Sequence, residues 1–333
     1  MKRRCPPKWT DVMLYYFAPL EGITDCAFRS LHHRFFPGVD RYYTPFLSPT
    51  TDGPAITKKD LFQILPENNP GITVVPQLLT NQAVPFLEAA KKLQELGYQE
   101  VNLNLGCPSG TVTAKGKGSG FLAKPEALRA FLDQVFEHAE IGISIKTRLG
   151  MEDPEEFHSL LRLYRQYPIR ELTVHPRVRK DLYRHPVRME YFDEAMDTSP
   201  FPICLSGGIG VQTDAKRILT GRPEPHAVML GRGLVANPAL VQQLKGIGGP
   251  TEEALREFHG ELFEATAQKV GSPRNTMFRM KEIWSYLILL FDQREKYQKL
   301  LRKTTSLTEY HAITARIFRE LPLRQDAEVS WVS

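Results

Sequence analysis

Cysteine is scarce in this chain: four among 333 residues, Cys5, Cys26, Cys107 and Cys204. They make no C-x-x-C pair and no ligand-like spacing, which argues against a disulfide framework and against a bound metal. No apolar run approaches the ~18 residues of a membrane span. No G-x-G-x-x-G follows the first strand-like run, which counts against a dinucleotide-binding open sheet. Solenoid repeats and low-complexity tracts are missing as well. An excess of charge of one sign is also lacking, the net value being only +5. The segment Met1–Pro7 is charged, with no apolar stretch behind it of signal-peptide character. The expectation is a cytoplasmic protein with no membrane partner and no obligate protein partner.

What the chain does have is a full complement of apolar residues, 42%, enough for a large core. Eight strand-like runs recur: 12–18, 41–44, 73–79, 99–105, 141–147, 171–175, 202–205 and 227–230. Helix-like patterns separate most of them, at 25–36, 81–96, 125–139, 154–167 and 211–219. Asp25 and Asn81 are placed as N-caps, Pro125 and Pro154 as helix openers, Gly97 and Gly221 as helix stops. The connections after the second and sixth runs read as long loops. Eight strands alternating with helices predict an α/β fold, a (β/α)8 TIM barrel, over 12–245. An open doubly wound sheet is the structural alternative. A tail over 1–11 precedes the barrel. From about 246 to 322 only helices are predicted, at 251–270, 275–291, 293–303 and 307–320, a small helical bundle. A C-terminal tail covers 323–333.

Barrel enzymes carry their chemistry at the C-terminal strand ends. The fourth run ends in Asn102-Leu103-Asn104-Leu105-Gly106-Cys107-Pro108-Ser109, followed by the basic glycine-rich stretch Lys115-Gly116-Lys117-Gly118-Ser119-Gly120. A thiol beside proline at a strand end is poorly placed for packing and well placed to meet a substrate. Cys26 and Cys204 lie in apolar surroundings and read as packing residues, and Cys5 falls on the tail. The other strand ends supply Ala18-Pro19-Leu20, Gln77, Lys146 with Arg148, His175 with Arg177, Ser206-Gly207-Gly208, and Gly231-Arg232-Gly233. Glycine turns after the last two strands offer backbone N–H groups to one point, a phosphate site of the usual barrel type. A tight turn would explain either one alone. Gln77, Asn104, Lys146 and His175 suit a polar planar ligand. A fixed lysine charge matches the electron-rich edge of a reduced flavin.

Charge is uneven along the chain. Between Lys269 and Lys303 nine basic residues face three acids, which fits a polyanion or an ordinary solvated helix face. Trp284, Tyr286 and Tyr297 lie among those charges. Stacking on RNA or packing in the helical core would account for them, and Trp284 is expected in the core.

These motifs together resemble the dihydrouridine synthase family, FMN enzymes that reduce uridine in RNA. The resemblance is carried by Ala18-Pro19-Leu20-Glu21-Gly22-Ile23-Thr24-Asp25, Pro76-Gln77-Leu78, Leu103–Ser109, Gly116–Gly120, Ile145-Lys146-Thr147-Arg148, Val174-His175-Pro176-Arg177, Ser206–Ile209 and Gly231–Gly233, and extends to Arg279-Met280-Lys281. It covers roughly residues 12 to 320. The chain departs from the family pattern at Leu20 (often Met), Pro176 (often Gly) and Ser206-Gly207-Gly208 (often Asn-Gly-Asp), which leaves the subfamily open.

The resemblance implies FMN as cofactor and NADPH as reductant, with hydride delivered to C6 of uracil and a proton to C5. Cys107 is the implied acid. An ordinary thiol titrates near ~8.5 and is mostly protonated at neutral pH, as a proton donor must be. Ala18, Pro19, Leu20, Gln77, Lys146, His175, Ser206, Gly207, Gly208, Gly231 and Arg232 would hold the cofactor. Asn104, Lys115, Lys117, Arg148, Arg177, Tyr183, Arg279 and Lys281 would meet the RNA, with the glycine-rich basic loop as a cover over it. Transfer RNA is the expected substrate, and ribosomal RNA is an alternative. Two further readings stay open: a free-pyrimidine flavin oxidoreductase of dihydroorotate dehydrogenase type, and a non-catalytic RNA-binding protein on the same scaffold.

Overall fold

The computed structural model describes residues 13–327 and 329. The expected tail over 1–11, with Cys5, lies outside the described residues. The strands are β1 (Leu14–Phe17), β2 (Arg41–Tyr43), β3 (Val74–Val75), β4 (Gln77–Leu78), β5 (Glu100–Leu105), β6 (Gly142–Arg148), β7 (Leu172–His175), β8 (Ile203–Ser206) and β9 (Ala227–Leu230). All pair in parallel, in the order β3-β2-β1-β9-β8-β7-β6-β5-β4. The sheet's two ends, β3 and β4, are consecutive in the chain and separated only by Pro76, which has no N–H for a ladder. They are the two halves of one strand, so the ring has eight places and is a (β/α)8 barrel.

Strand periodicity explains how the barrel is filled. On β6 the side chains of Ile143 and Ile145 join the layer between strands and helices. Ser144, Lys146 and Arg148 alternate with them and turn to the barrel interior. Inside, Tyr16, Tyr43, Val75, Cys204, Ala227 and Met229 form a second small cluster. At the N-terminal end Tyr16 and Tyr43 donate to the Glu171 carboxylate at 2.8 and 3.5 Å. Burial lifts the Glu171 pKa to about 7. The opposite end is left for chemistry.

Local signals place most helices as expected. Asp25 caps Cys26–Phe35 by accepting from Phe28 N, and Pro125 opens Pro125–His138. Gly97 and Gly221 have φ of 92° and 78°. One cap differs. Ala83–Glu95 starts after Gln82, and Asn81 Nδ2 donates to Lys115 O and Gly116 O, tying it to the glycine-rich stretch. The expected long loops after β2 and β7 carry the helices Lys58–Ile64 and Met189–Thr198.

Beyond the barrel come Glu252–Val270, Pro273–Leu287, Glu295–Lys303 and Leu307–Glu320. Trp284 is 1% exposed and donates to His259 Nε2 and Tyr310 OH, so it is core as expected. The expected C-terminal tail is anchored. Leu323 bridges Phe291, Gln325 O accepts from Asn237 and Gln243, and Ala327 is buried. Its backbone acceptors and small apolar side chains give it a seat on the barrel. No described helix is long and apolar enough to cross a membrane.

Candidate active site

A cavity of about 370 Å³ opens at the C-terminal end of the strands. Ala18, Pro19, Leu20, Gln77, Asn104, Cys107, Lys146, Arg148, His175, Arg177, Tyr183, Ser206, Gly207, Gly208, Gly231 and Arg232 all line it. Register accounts for the convergence. Asn104 pairs with Lys146 across β5–β6, and Arg148 pairs with His175 across β6–β7.

Cys107 is a free, half-buried thiol whose backbone is held from both sides. Its N–H donates to Asn104 Oδ1 at 2.9 Å. Its carbonyl accepts from Ser119 N at 3.1 Å and Ser119 Oγ at 2.8 Å. Asn104 in turn donates to Gln77 Oε1, Gln77 donates to Asn102 Oδ1, and Asn102 donates to Ser144 Oγ, at 2.7, 2.8 and 2.9 Å. This buried relay fixes which way each amide points, so Asn104 always offers oxygen to the Cys107 turn. Gln77 and Asn104 therefore have a second task beyond any ligand contact: they set the thiol.

The glycine-rich stretch has a different place from the cover expected of it. Gly116, Gly118, Ser119 and Gly120 are buried. Gly118 has φ +57°, and a Cβ there would lie 2.9 Å from Cys107 O. The stretch is a buttress under the Cys107 turn, and glycine is required because the two backbones touch. Lys115 is exposed and Lys117 half-buried, both outside the cavity lining.

The cavity is strongly cationic. Lys146, Arg148, Arg177 and Arg232 line it, with Glu21 facing them. Burial above all, with Arg148 adding, pushes the Lys146 pKa down to about 8. Burial and the four neighbouring cations hold His175 well below its ordinary value, so the imidazole is neutral. Arg177 Nη1 lies 2.9 Å from His175 Nε2. A guanidinium can only donate, so Nε2 accepts and the imidazole proton sits on Nδ1. Gly207 has φ +89°, and a Cβ there would be 2.6 Å from that same Nε2.

Two arginines expected to meet RNA are partly committed within the protein. Arg148 is 1% exposed and donates to Gly106 O, Val178 O and Leu182 O at 2.9, 3.0 and 2.9 Å. Arg177 donates to His185 O besides His175. Their charge still reaches the cavity, while their donors hold its walls. Arg279 and Lys281 lie outside the cavity lining. Arg279 donates to Gly22 O, tying the helical segment to the barrel. Lys281 donates to Arg302 O and Thr304 O at 3.0 and 2.8 Å, which satisfies carbonyls at the end of Glu295–Lys303. Pro45, Phe46, Glu21, Met229 and Tyr286 also line the cavity, and strand-end reasoning did not reach Phe46 or assign Tyr286 there.

The half-buried Lys146 charge in the cavity wall is destabilising. Its pKa is about 8 when folded against 10.5 ordinarily, a penalty of about 3 kcal/mol at neutral pH. Both states are protonated below pH 8, so the penalty is constant there. It fades as pH rises from 8 to 10.5 and is gone above that. Relative to Lys146→Met, the wild-type unfolding free energy should therefore rise across this window, measured by denaturant titration. A flat difference would contradict the half-buried charge.

Comparison with known proteins follows the same lines. The family profile described as dihydrouridine synthase matches residues 16–320. A Synechocystis protein named "Probable tRNA-dihydrouridine synthase 1" is 30% identical over 68% of this chain, and the match spans 63% of that protein, less than two thirds of its length. The tRNA-dihydrouridine(16) synthase of Shewanella oneidensis is 27% identical over 88% of this chain and 95% of its own. That of Neisseria meningitidis serogroup B is 26% identical over 95% of this chain and 97% of its own. With the profile running from β1 through the last helix, this chain belongs to the dihydrouridine synthase family and is an enzyme of that family.

Proposed function

We propose that this chain reduces the C5–C6 double bond of a uridine in tRNA, using flavin mononucleotide and NADPH. The carrying observation is the single cavity that joins a buttressed, half-exposed thiol to a cationic floor and two glycine turns. The donor set fits a flavin mononucleotide. Backbone N–H groups at Gly207, Gly208, Gly231 and Arg232, with the Arg232 guanidinium, suit its phosphate. Lys146 and the Nδ1–H of His175 suit its electron-rich pyrimidine edge. When bound and reduced by NADPH, this group supplies a hydride for C6 of the uracil.

The protein's own part is to hold and protonate. Cys107 gives its S–H proton to C5, so the base gains two hydrogens and the thiolate is reprotonated from solvent. Asn104 and Ser119 keep that thiol at a fixed point. Lys146, Arg148, Arg177 and Arg232 favour an anionic ligand in a low-dielectric site.

Transfer RNA is supported by the names of the relatives, and position 16 by those that align over nearly their whole length. The target base must leave its stack or already lie in a loop to reach the cavity. Exposed Arg274, Lys296, Lys299, Arg302 and Lys303 on the helical segment suit RNA phosphates. If all five engage, the logarithm of RNA affinity should fall with log salt at a slope of about −4. Binding titrations from low to physiological salt read this directly, and a slope near zero would remove RNA from the reading. The test of the activity is NADPH-dependent dihydrouridine formation in a tRNA transcript, with ribosomal RNA, free uracil and dihydroorotate as competitors. Turnover of a free pyrimidine alone would overturn it.

A further inference from the structure

We propose that Phe46 and Tyr286 are substrate-positioning residues, and that with Tyr183 they form an aromatic collar at the barrel mouth. The collar stacks on the target pyrimidine and the nucleotide beside it. This rests on the reading of the chain as an RNA uridine reductase.

Three aromatic rings from three distant segments line the one cavity: Phe46 after β2, Tyr183 after β7, and Tyr286 from the helix Pro273–Leu287. The topology spaces them around the mouth. In a ring of eight places β2 and β7 are four steps apart in either direction, so Phe46 and Tyr183 rise from opposite walls. Cys107 follows β5, and β9 is opposite it by the same count. The helix of Tyr286 packs against Arg232–Ala236, which follows β9, so Tyr286 approaches from the wall facing the thiol.

Phe46 and Tyr183 are presented rather than absorbed, whereas Tyr286 is half-buried, packing against the core on one side and lining the cavity on the other. Phe46 is half-buried, and Phe46 and Tyr183 lie outside the packed core. Their supports are firm. Phe46 sits in a two-residue excursion between Thr44 and Leu47, both pinned to the β3–β4 strand by Thr44 N to Val75 O and Leu47 N to Gln77 O. Tyr183 follows Leu182, which holds φ +51° while its carbonyl accepts from Arg148 at 2.9 Å. A β-carbon residue in that region is strained and persists only when its surroundings impose it. Arg232 and Arg148 lie over the Tyr183 ring at 4.4 and 5.2 Å.

A flipped base has lost its neighbours' stacking, and aromatic side chains return about 1–3 kcal/mol per base. That corresponds to about tenfold to hundredfold in kcat/KM. The helical segment would then complete the active site as well as bind RNA.

The test compares Phe46→Ala, Phe46→Tyr, Tyr286→Ala and Tyr286→Phe in the flavin-loaded full chain. Each is read for flavin content, for flavin reduction by NADPH without RNA, and for kcat/KM on a tRNA transcript. The alanine variants should lower kcat/KM on tRNA by about tenfold to hundredfold relative to the NADPH step, and the aromatic replacements should restore most of it. If alanine lowers flavin content or the NADPH step as much as uridine reduction, the ring serves the cofactor and the collar is overturned. If tRNA turnover is unchanged, the collar is overturned with the functional reading intact. A wild type that loads flavin but reduces no uridine overturns the functional reading and the collar with it.

Discussion

Cys107→Ala should retain its flavin and accept electrons from NADPH, yet reduce uridine about two to three orders of magnitude more slowly. The size follows from losing a positioned donor at a developing charge, about 3–4 kcal/mol. The separation of the two half-reactions follows from the geometry. The thiol sits on the β5 turn, held by Asn104 and Ser119, whereas the Gly207 and Arg232 turns follow β8 and β9. A methyl group leaves the backbone clamp intact, since both clamps act on the Cys107 N–H and C=O. Stopped-flow traces at the flavin absorbance measure the first half-reaction, and dihydrouridine mass spectrometry the second. Equal slowing of both would mean that the thiol acts on the cofactor; unchanged uridine turnover would mean that it does not donate the proton.

Gly207→Ala should cost both stability and flavin. A residue with a Cβ at φ +89° is strained by about 1–3 kcal/mol. The new methyl carbon would also begin 2.6 Å from His175 Nε2, so the imidazole has to move. That breaks the 2.9 Å contact to Arg177 Nη1, and with it the device that keeps the imidazole proton on Nδ1. Losing one charge-assisted hydrogen bond amounts to about 1.5–3 kcal/mol, so flavin affinity should fall about tenfold to hundredfold. Flavin fluorescence titration reads the affinity and thermal unfolding the strain. A variant with full flavin affinity would mean that His175 does not serve the cofactor. His175→Ala paired with Gly207→Ala separates the two effects: with no imidazole to displace, only the backbone strain remains.

Strand-end residues were legible because a parallel barrel gives each strand one exposed end, and register then brings Asn104 beside Lys146 and Arg148 beside His175. What the sequence could not convey is where donors are spent. Arg148 and Arg177 look like free ligand-binding cations in a linear reading. The fold hands their N–H groups to carbonyls of Val178, Leu182 and His185, which only the β7 loop's path brings near. Lys281 likewise meets carbonyls that arrive from a later helix. The glycine stretch 116–120 signalled close approach correctly but not to what. Its partner is the Cys107 turn rather than a ligand. Phe46 and Tyr286 carried no strand-end signal. One opens an expected loop, and the other belongs to a helix whose amphipathic pattern does not reveal that it overhangs the barrel.

The central claim is that the thiol, the cationic floor and the glycine turns of one cavity act together on a uridine in tRNA. The measurement that tests it most directly is position-resolved mass spectrometry of one tRNA transcript, incubated with flavin-loaded protein and NADPH and compared with the same reaction using Cys107→Ala. The account predicts a gain of two hydrogens at a single uridine, and almost none with the variant. Flavin oxidised by the tRNA at equal rates in both proteins, or dihydrouridine formed equally by both, would contradict it.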